Sequence, residues 1–279
     1  MSLYEMKELL DDARTRKYGI GFYNTFNVEM CRACIRAAED EQSPIIIGTA
    51  ESLLKYCDFD WVAPMMLNAA RNAKVPVAVH LDHAYNFDTI MKALKAGFGS
   101  VMFDGSVLPI EDNIEISARI AAITHPMGVG LECELGKVGG LEEGGGVIGT
   151  NLLTDTDEAA GFIDKTDADF LAISIGTTHG VYKEVPNLDL VRLSEIRGSV
   201  DIPLVLHGGS GLTDEDFQNC IKGGIQKINI YTDVITAGGE AIRDDNKEMG
   251  YADILRNSEE MMYEVVVDKI KIFGSSNKA

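Results

Sequence analysis

The chain has 279 residues, enough for one large domain or two small ones around a substantial core. Its composition, 46% hydrophobic and 25% charged, is that of an ordinary globular protein and excludes low-complexity and fibrous chains. A formal charge of −19 argues against nucleic acid and anionic membrane surfaces as partners, while leaving room for a phosphorylated small molecule in a local pocket.

The first stretch, "MSLYEMKELLDDARTRKYG", reads as an amphipathic helix rather than a signal peptide. No run approaches the ~20 apolar residues of a membrane span. Strands are then predicted at 19–23, 44–49, 75–81, 100–104, 128–134, 170–176, 203–207 and 226–231. Most are continuous apolar runs such as "PVAVHL", "FLAISI" and "IPLVLH", the pattern of parallel strands buried on both faces. Amphipathic stretches lie between them, including "NFDTIMKALKAGF", "LPIEDNIEISARIAAITH" and "TDTDEAAGFIDKT". Acidic or hydroxyl residues open these stretches and glycine closes several of them, as helix caps do. Eight strand–helix units over roughly 250 residues fit an α/β chain folded as a single (β/α)8 TIM barrel over residues 1–279. A doubly wound open sheet is the other possibility, but no GxGxxG follows the first strand. The cysteines Cys31, Cys34, Cys57, Cys133 and Cys220 are odd in number and scattered, which suits a reduced, cytoplasmic protein. Cys31 and Cys34 fall in a helical pattern and read as small apolar side chains rather than a redox pair.

Unusual polar residues gather at one end of the predicted strands. Asp82 and His83 end the third, Asp104 the fourth, and Glu132 and Glu134 the fifth. His179 follows the sixth, His207 ends the seventh, and Asn229 ends the eighth. In a barrel these ends open on one face, where active sites of this fold are built. Three imidazoles converging with an open fourth position make a catalytic divalent metal site, most plausibly zinc, with His83, His179 and His207 as the ligand set. His80 has the opposite phase to His83 and should point elsewhere, as a structural or supporting residue. His125, before Pro126, reads as a surface residue or cap. Asp104 and Glu134 are placed to orient the ligands or to hold a second cation. The turn "LHGGSG", with Gly208 and Ser210, lies between a strand and a helix and offers exposed amides to a phosphate. "GKVGGLEEGGG", residues 136–146, suits a mobile loop delivering a carboxylate from Glu142 or Glu143; an inert flexible loop fits its composition equally well. A metal, a neighbouring acid, a loop carboxylate and a phosphate pocket together suggest enolate chemistry.

Together these motifs resemble the class II, metal-dependent ketose-bisphosphate aldolases, of the fructose/tagatose-bisphosphate type. The resemblance runs over almost the whole chain, through "GFYNTFNVEM", "VHLDHAYNFD", "SVMFDGSVLP", "LECELGKVGG", "AISIGTTHGVYK", "PLVLHGGSGLTDEDF", "IQKINIYTD" and "EVVVDKIKIFGSSNKA". It implies a lyase that cleaves a ketose 1,6-bisphosphate reversibly into dihydroxyacetone phosphate and glyceraldehyde 3-phosphate. Fructose 1,6-bisphosphate leads, with tagatose 1,6-bisphosphate or a related phosphorylated keto sugar as alternatives. By this resemblance His83, His179 and His207 match the zinc ligands, and Asp104 and Glu134 lie near the metal or an auxiliary cation. Asp82 matches the acid/base at the C4 hydroxyl, and Glu142 the loop carboxylate that exchanges a carbon-bound proton. Asn24, Gly180, Lys183, Gly208, Ser210, Asn229 and Thr232 match the substrate and phosphate pocket, which a monovalent cation (Na+ or K+) accompanies. Arg256 stands where some members supply an arginine to the distal phosphate across a subunit interface, which implies a homodimer or homotetramer. The chain departs from the family pattern at Phe26, Ala50, Ala84 and Tyr231, around the substrate rather than the metal. Two other readings compete: a non-catalytic barrel partnering a true aldolase, against which the intact histidines and Asp82 count, and a metal hydrolase, against which the glycine turn counts.

Overall fold

Apolar runs without alternation bury both faces, and the eight predicted runs each become a strand of one closed parallel barrel. The computed structural model describes residues 3–141, 147–148, 152–182, 186–243 and 249–279. In chain order the strands are β1 (Ile20–Asn24), β2 (Ile45–Ala50), β3 (Val77–Ala84), β4 (Ser100–Phe103), β5 (Gly130–Leu135), β6 (Gly139–Leu141), β7 (Val147–Ile148), β8 (Phe170–Ile173), β9 (Thr178–His179), β10 (Leu204–Leu206) and β11 (Ile225–Ile230). The barrel closes in the order β1-β11-β10-β8-β5-β4-β3-β2, and β7-β6-β9 form a separate small sheet. Helices α1 (Met6–Arg16), α2 (Val28–Asp40), α3 (Phe59–Asn72), α4 (Phe87–Ala96), α5 (Ile110–Thr124), α6 (Thr156–Thr166), α7 (Leu190–Ser199), α8 (Asp214–Gly223), α9 (Thr232–Arg243) and α10 (Tyr251–Ile272) complete it. Among the described residues no helix is long and apolar enough to cross a membrane.

Strand ends move from their predicted positions by at most three residues. The sixth strand stops at Ile173 rather than 176, and the third runs through Asp82 and His83 to Ala84. The expected caps are present. Thr213 and Asp216 form a reciprocal capping box on α8, and Gly97 and Gly224 end α4 and α8 in the left-handed conformation. Cys31 and Cys34 are buried on α2 as small core residues.

The N-terminal helix does more than its amphipathic pattern announces. Its buried face, Met6, Leu9, Leu10 and Ala13, joins Ile20, Phe22, Ile46 and Phe170 in one cluster inside the barrel. Tyr4 N donates to Val77 O at the start of β3 (2.9 Å), fixing the entry of the helix. So α1 closes the end of the barrel where the strands begin.

Along each strand every second residue faces the interior, and the chemistry of these positions changes with height. On β1 it runs Ile20, Phe22, Asn24; on β3, Ala78, His80, Asp82; on β11, Lys227 then Asn229. Apolar layers against α1 thus give way to polar ones where the strands end. Leu10→Ala should destabilise the fold by about 3 kcal/mol, because the closed barrel cannot collapse into the space left. A lower urea midpoint at unchanged slope would show it.

Candidate active site

Strict alternation on β3 would send His83 outward with Val79 and Leu81. It does not, because the pairing of β3 with β4 slips between Leu81 and Ala84, placing one extra residue on β3. His83 takes a left-handed φ of 38°, sparsely populated for a non-glycine residue. The slip turns His83 to the barrel mouth beside Asp82, where its Nε2 lies 3.9 Å from Asp82 Oδ2. His80, two positions before Asp82 and on the same face, points into the barrel and bonds Ser100 Oγ through Nδ1 (2.8 Å).

Three histidines from three elements meet here. His207 follows β10, and His179 ends β9 in the small sheet, paired with Gly140. Gly140 has φ 107°, and a Cβ there would lie 2.4 Å from His179 O, so only glycine allows that approach. The His83 and His207 rings are 4.5 Å apart, and His179 is 5.0 Å from His83. His83 Nε2 and His207 Nδ1 approach to 2.7 Å, while His179 Nε2 is buried without a hydrogen-bond partner among the described residues. The opposite nitrogens are held: His83 Nδ1 by Asp104 Oδ2 (2.9 Å) and His207 Nε2 by Glu132 Oε1 (2.9 Å). Asp104 Oδ1 in turn accepts from Ser106 N (3.0 Å). Burial pushes the His179 and His207 pKa values down, with His83 adding to the effect, so both rings favour the neutral, ligating form. Three imidazoles aimed together, one with a nitrogen orphaned among the described residues, fit a divalent metal. Glu134 joins His83 and Asp104 in a second cluster of possible ligands, with its Oε1 accepting from Val138 N (3.0 Å).

Beside the histidines Asp82 is wholly buried between two amides. Asn24 Nδ2 donates to its Oδ2 (2.9 Å), and Asn229 Nδ2 donates to Oδ1 (3.1 Å) and Oδ2 (3.2 Å). Burial opposes the carboxylate, but His83, Lys227, His207 and His80 outweigh it and hold the carboxyl well below the usual range. Asn229 Oδ1 has no hydrogen-bond partner among the described residues.

A cavity of about 410 Å³ lies at the start of α9, lined by Gly180, Ser210, Gly211, Thr232 and Asp233 among others. Gly208 sits in the turn below with φ 65° and Thr178 O where a Cβ would go. Two of the amides expected to be free are engaged: Gly209 N donates to Asn229 O (3.2 Å) and Gly211 N to Asp233 Oδ2 (3.4 Å). Ser210 Oγ accepts from Tyr231 N and Asp233 N (both 3.2 Å), tying the turn to the first turn of α9.

Arg256, expected to act across a subunit interface, lies away from this chain's own barrel mouth. It is exposed on α10, which packs on α2 and α9 outside the barrel. Glu142 and Lys183 lie outside the described residues. Phe26 and Tyr56 pack together with ring centroids 5.4 Å apart. Ala50 pairs with Asp82 across β2 and β3, and Glu51 accepts from the amides of Tyr85 and Asn86, tying the rim of β2 to the loop after Ala84. His125 is half-buried between Asp169 (3.0 Å) and Asp167 (3.3 Å), away from the mouth.

Glu132, noted at its strand end without a role, and Lys227, outside the predicted set, are both built into the site. Glu132 supports His207, and Lys227 Nζ lies 2.9 and 3.1 Å from the two Glu132 oxygens and 3.8 Å from Asp82 Oδ1. The signal was phase: in "GLECEL" Glu132 and Glu134 share one face, and in "IQKINI" Lys227 shares the face of Asn229.

Over residues 4–278 the chain matches the sequence model of the family described as "Fructose-bisphosphate aldolase class-II". It is 37% identical over 287 residues to a fructose-bisphosphate aldolase of Staphylococcus epidermidis, covering all of both chains. It is 38% identical over 284 residues to a sulfofructosephosphate aldolase of Alkalicoccus urumqiensis, covering 100% of this chain and 99% of that one. Its fold is similar to the crystal structure of the YdjI aldolase of Escherichia coli K12, with TM-score 0.90, 34% identity and 99% of each chain covered.

His207→Ala should leave no stoichiometric divalent metal on the purified protein. Asp104→Ala, which removes only the partner of His83, should weaken metal binding about 10–100-fold. Elemental analysis and competition with a chromogenic chelator measure both.

Proposed function

The chain belongs to the class-II fructose-bisphosphate aldolase family, making it an aldolase, a carbon–carbon lyase acting on a phosphorylated sugar, and from that premise we propose the details of its reaction. Its substrate is a ketose 1,6-bisphosphate, with fructose 1,6-bisphosphate first, cleaved to dihydroxyacetone phosphate and glyceraldehyde 3-phosphate. The observation that carries this reading is the buried Asp82 carboxylate held by Asn24 and Asn229 within reach of three converging histidines.

His83, His179 and His207 would hold the metal, which we take to be zinc from the all-imidazole donor set. When bound, it supplies Lewis-acid polarisation of the substrate ketone. Asp82 is ionised at rest and so is set to accept the C4 hydroxyl proton as the C3–C4 bond breaks, returning it in the synthetic direction. Asn229 keeps Oδ1 free for a substrate hydroxyl while its amide holds Asp82. Gly180, Ser210 and Thr232 line the cavity at the start of α9 for the phosphate of the dihydroxyacetone half, where the helix terminus favours an anion, and Gly208 would serve it from the preceding turn. A monovalent cation accompanies that phosphate, with Asp233 at hand. Glu142 would move the carbon-bound proton of dihydroxyacetone phosphate, and Lys183 would join the phosphate site. Arg256, outside this chain's own barrel mouth, would serve a neighbouring subunit's distal phosphate in a homodimer or homotetramer. The whole chain is one catalytic domain working in the cytoplasm.

A second reading concerns the other end of the sugar. Two relatives of nearly equal identity carry different substrate names, and Phe26, Ala50 and Ala84 change the rim of β1–β3. Tagatose 1,6-bisphosphate or a related phosphorylated keto sugar therefore stands as the alternative.

Asp82→Ala should keep its metal but lose about 100-fold or more of kcat for cleavage, the usual contribution of one acid/base group. Near-normal turnover of that variant would remove Asp82 from the role. Side-by-side kcat/KM values for fructose and tagatose bisphosphates and their 1-phosphates identify the sugar. Borohydride with substrate should not inactivate the enzyme, since no lysine Schiff base is involved.

A further inference from the structure

Below the catalytic layer the barrel buries an ammonium where an aliphatic side chain would fill the same space. Lys227 is fully buried on β11 and crosses the interior to Glu132 on β5, passing the face of Phe22 (4.5 Å to the ring centroid). Such a pair is a poor source of net stability, because desolvation offsets the attraction. Its consequence therefore lies in what else it touches. Glu132 Oε1, one of its partners, is also the acceptor for His207 Nε2, which leaves His207 Nδ1 facing the other histidines. Lys227 also lies on the Oδ1 side of Asp82 (3.8 Å), whereas Oδ2 is the oxygen toward His83. His80 Nε2 closes the group, 3.5 Å from Glu132 Oε2 and 3.8 Å from Asp82 Oδ1.

We propose that Lys227 is a positioning residue for both halves of the site: through Glu132 it sets the ring of His207, and by drawing Asp82 Oδ1 inward it presents Oδ2 to the substrate hydroxyl. Oδ2 is then the oxygen that carries the proton. This rests on the aldolase reading above. A purely structural ion pair would affect folding and leave the two chemical steps in proportion. A positioning ammonium separates them, because removing a carbon-bound proton from dihydroxyacetone phosphate does not use Asp82.

The test compares wild type, Lys227→Met and the double variant Lys227→Met/Glu132→Gln, which removes both charges of the pair and should fold where the single variant does not. The readouts are thermal unfolding, bound metal per chain, kcat and KM for cleavage, and NMR-followed deuterium exchange at carbon 3 of dihydroxyacetone phosphate. Folded, metal-loaded variants should lose about 100-fold in kcat with KM within about threefold, and lose less than about tenfold in exchange. The double variant, which also loses the Glu132 carboxylate behind His207, should hold metal less tightly than Lys227→Met. Cleavage within about threefold of wild type, or equal loss of cleavage and exchange, overturns the proposal. Wild-type protein that cleaves no ketose phosphate would instead overturn the substrate assignment.

Discussion

A carboxylate without water must have its solvation rebuilt by its neighbours, and around Asp82 that requirement organises the upper half of the barrel. Two amides supply the lost hydrogen bonds, one from the end of β1 and one from β11. The Lys227 ammonium supplies positive potential. These groups come from β1 and β11, on strands other than that of Asp82, so none can hold its place unless the barrel is closed in this register. The carboxylate and the barrel are conditions for one another.

The charge arrangement is economical in a physical sense. Asp82 and Glu132 share one buried ammonium, and Glu132 passes its influence to His207. Burial pushes the Glu132 carboxyl up, yet Lys227 and the His207 bond bring it down to about 2. His80, burdened by burial and by Lys227, falls to about 3 and stays neutral. His179 and His207 at the mouth likewise favour the neutral form, the state in which imidazole donates a lone pair. An ionised carboxylate and neutral ligating imidazoles therefore sit within one small site.

The polar layer is affordable because the layer beneath it is not polar. Ile20, Phe22, Ile46 and Phe170 pack on the buried face of α1, so the barrel has a conventional apolar core at one end. Helices outside bury the other face of every strand. At the mouth, His83 holds a strained left-handed φ and glycines let loops approach, and the surrounding packing holds both.

Much of this was legible in the chain. Continuous apolar runs define parallel strands whatever their neighbours do, and capping residues act within one turn, so the eight barrel strands, helix order and the end carrying the chemistry follow from local pattern, whereas the short β6, β7 and β9 did not. The convergence of His83, His179 and His207 was readable for the same reason: strand ends of a barrel share a face. What tertiary structure decided concerns phase and partnership across the barrel. A one-residue slip against β4 turned His83 inward, and a strand pairing inside a glycine-rich segment positioned His179. Lys227 and Glu132, 95 residues apart, became partners only when β11 and β5 faced each other. Sequence period states which side of a strand a residue occupies; only closure of the barrel states what it meets there.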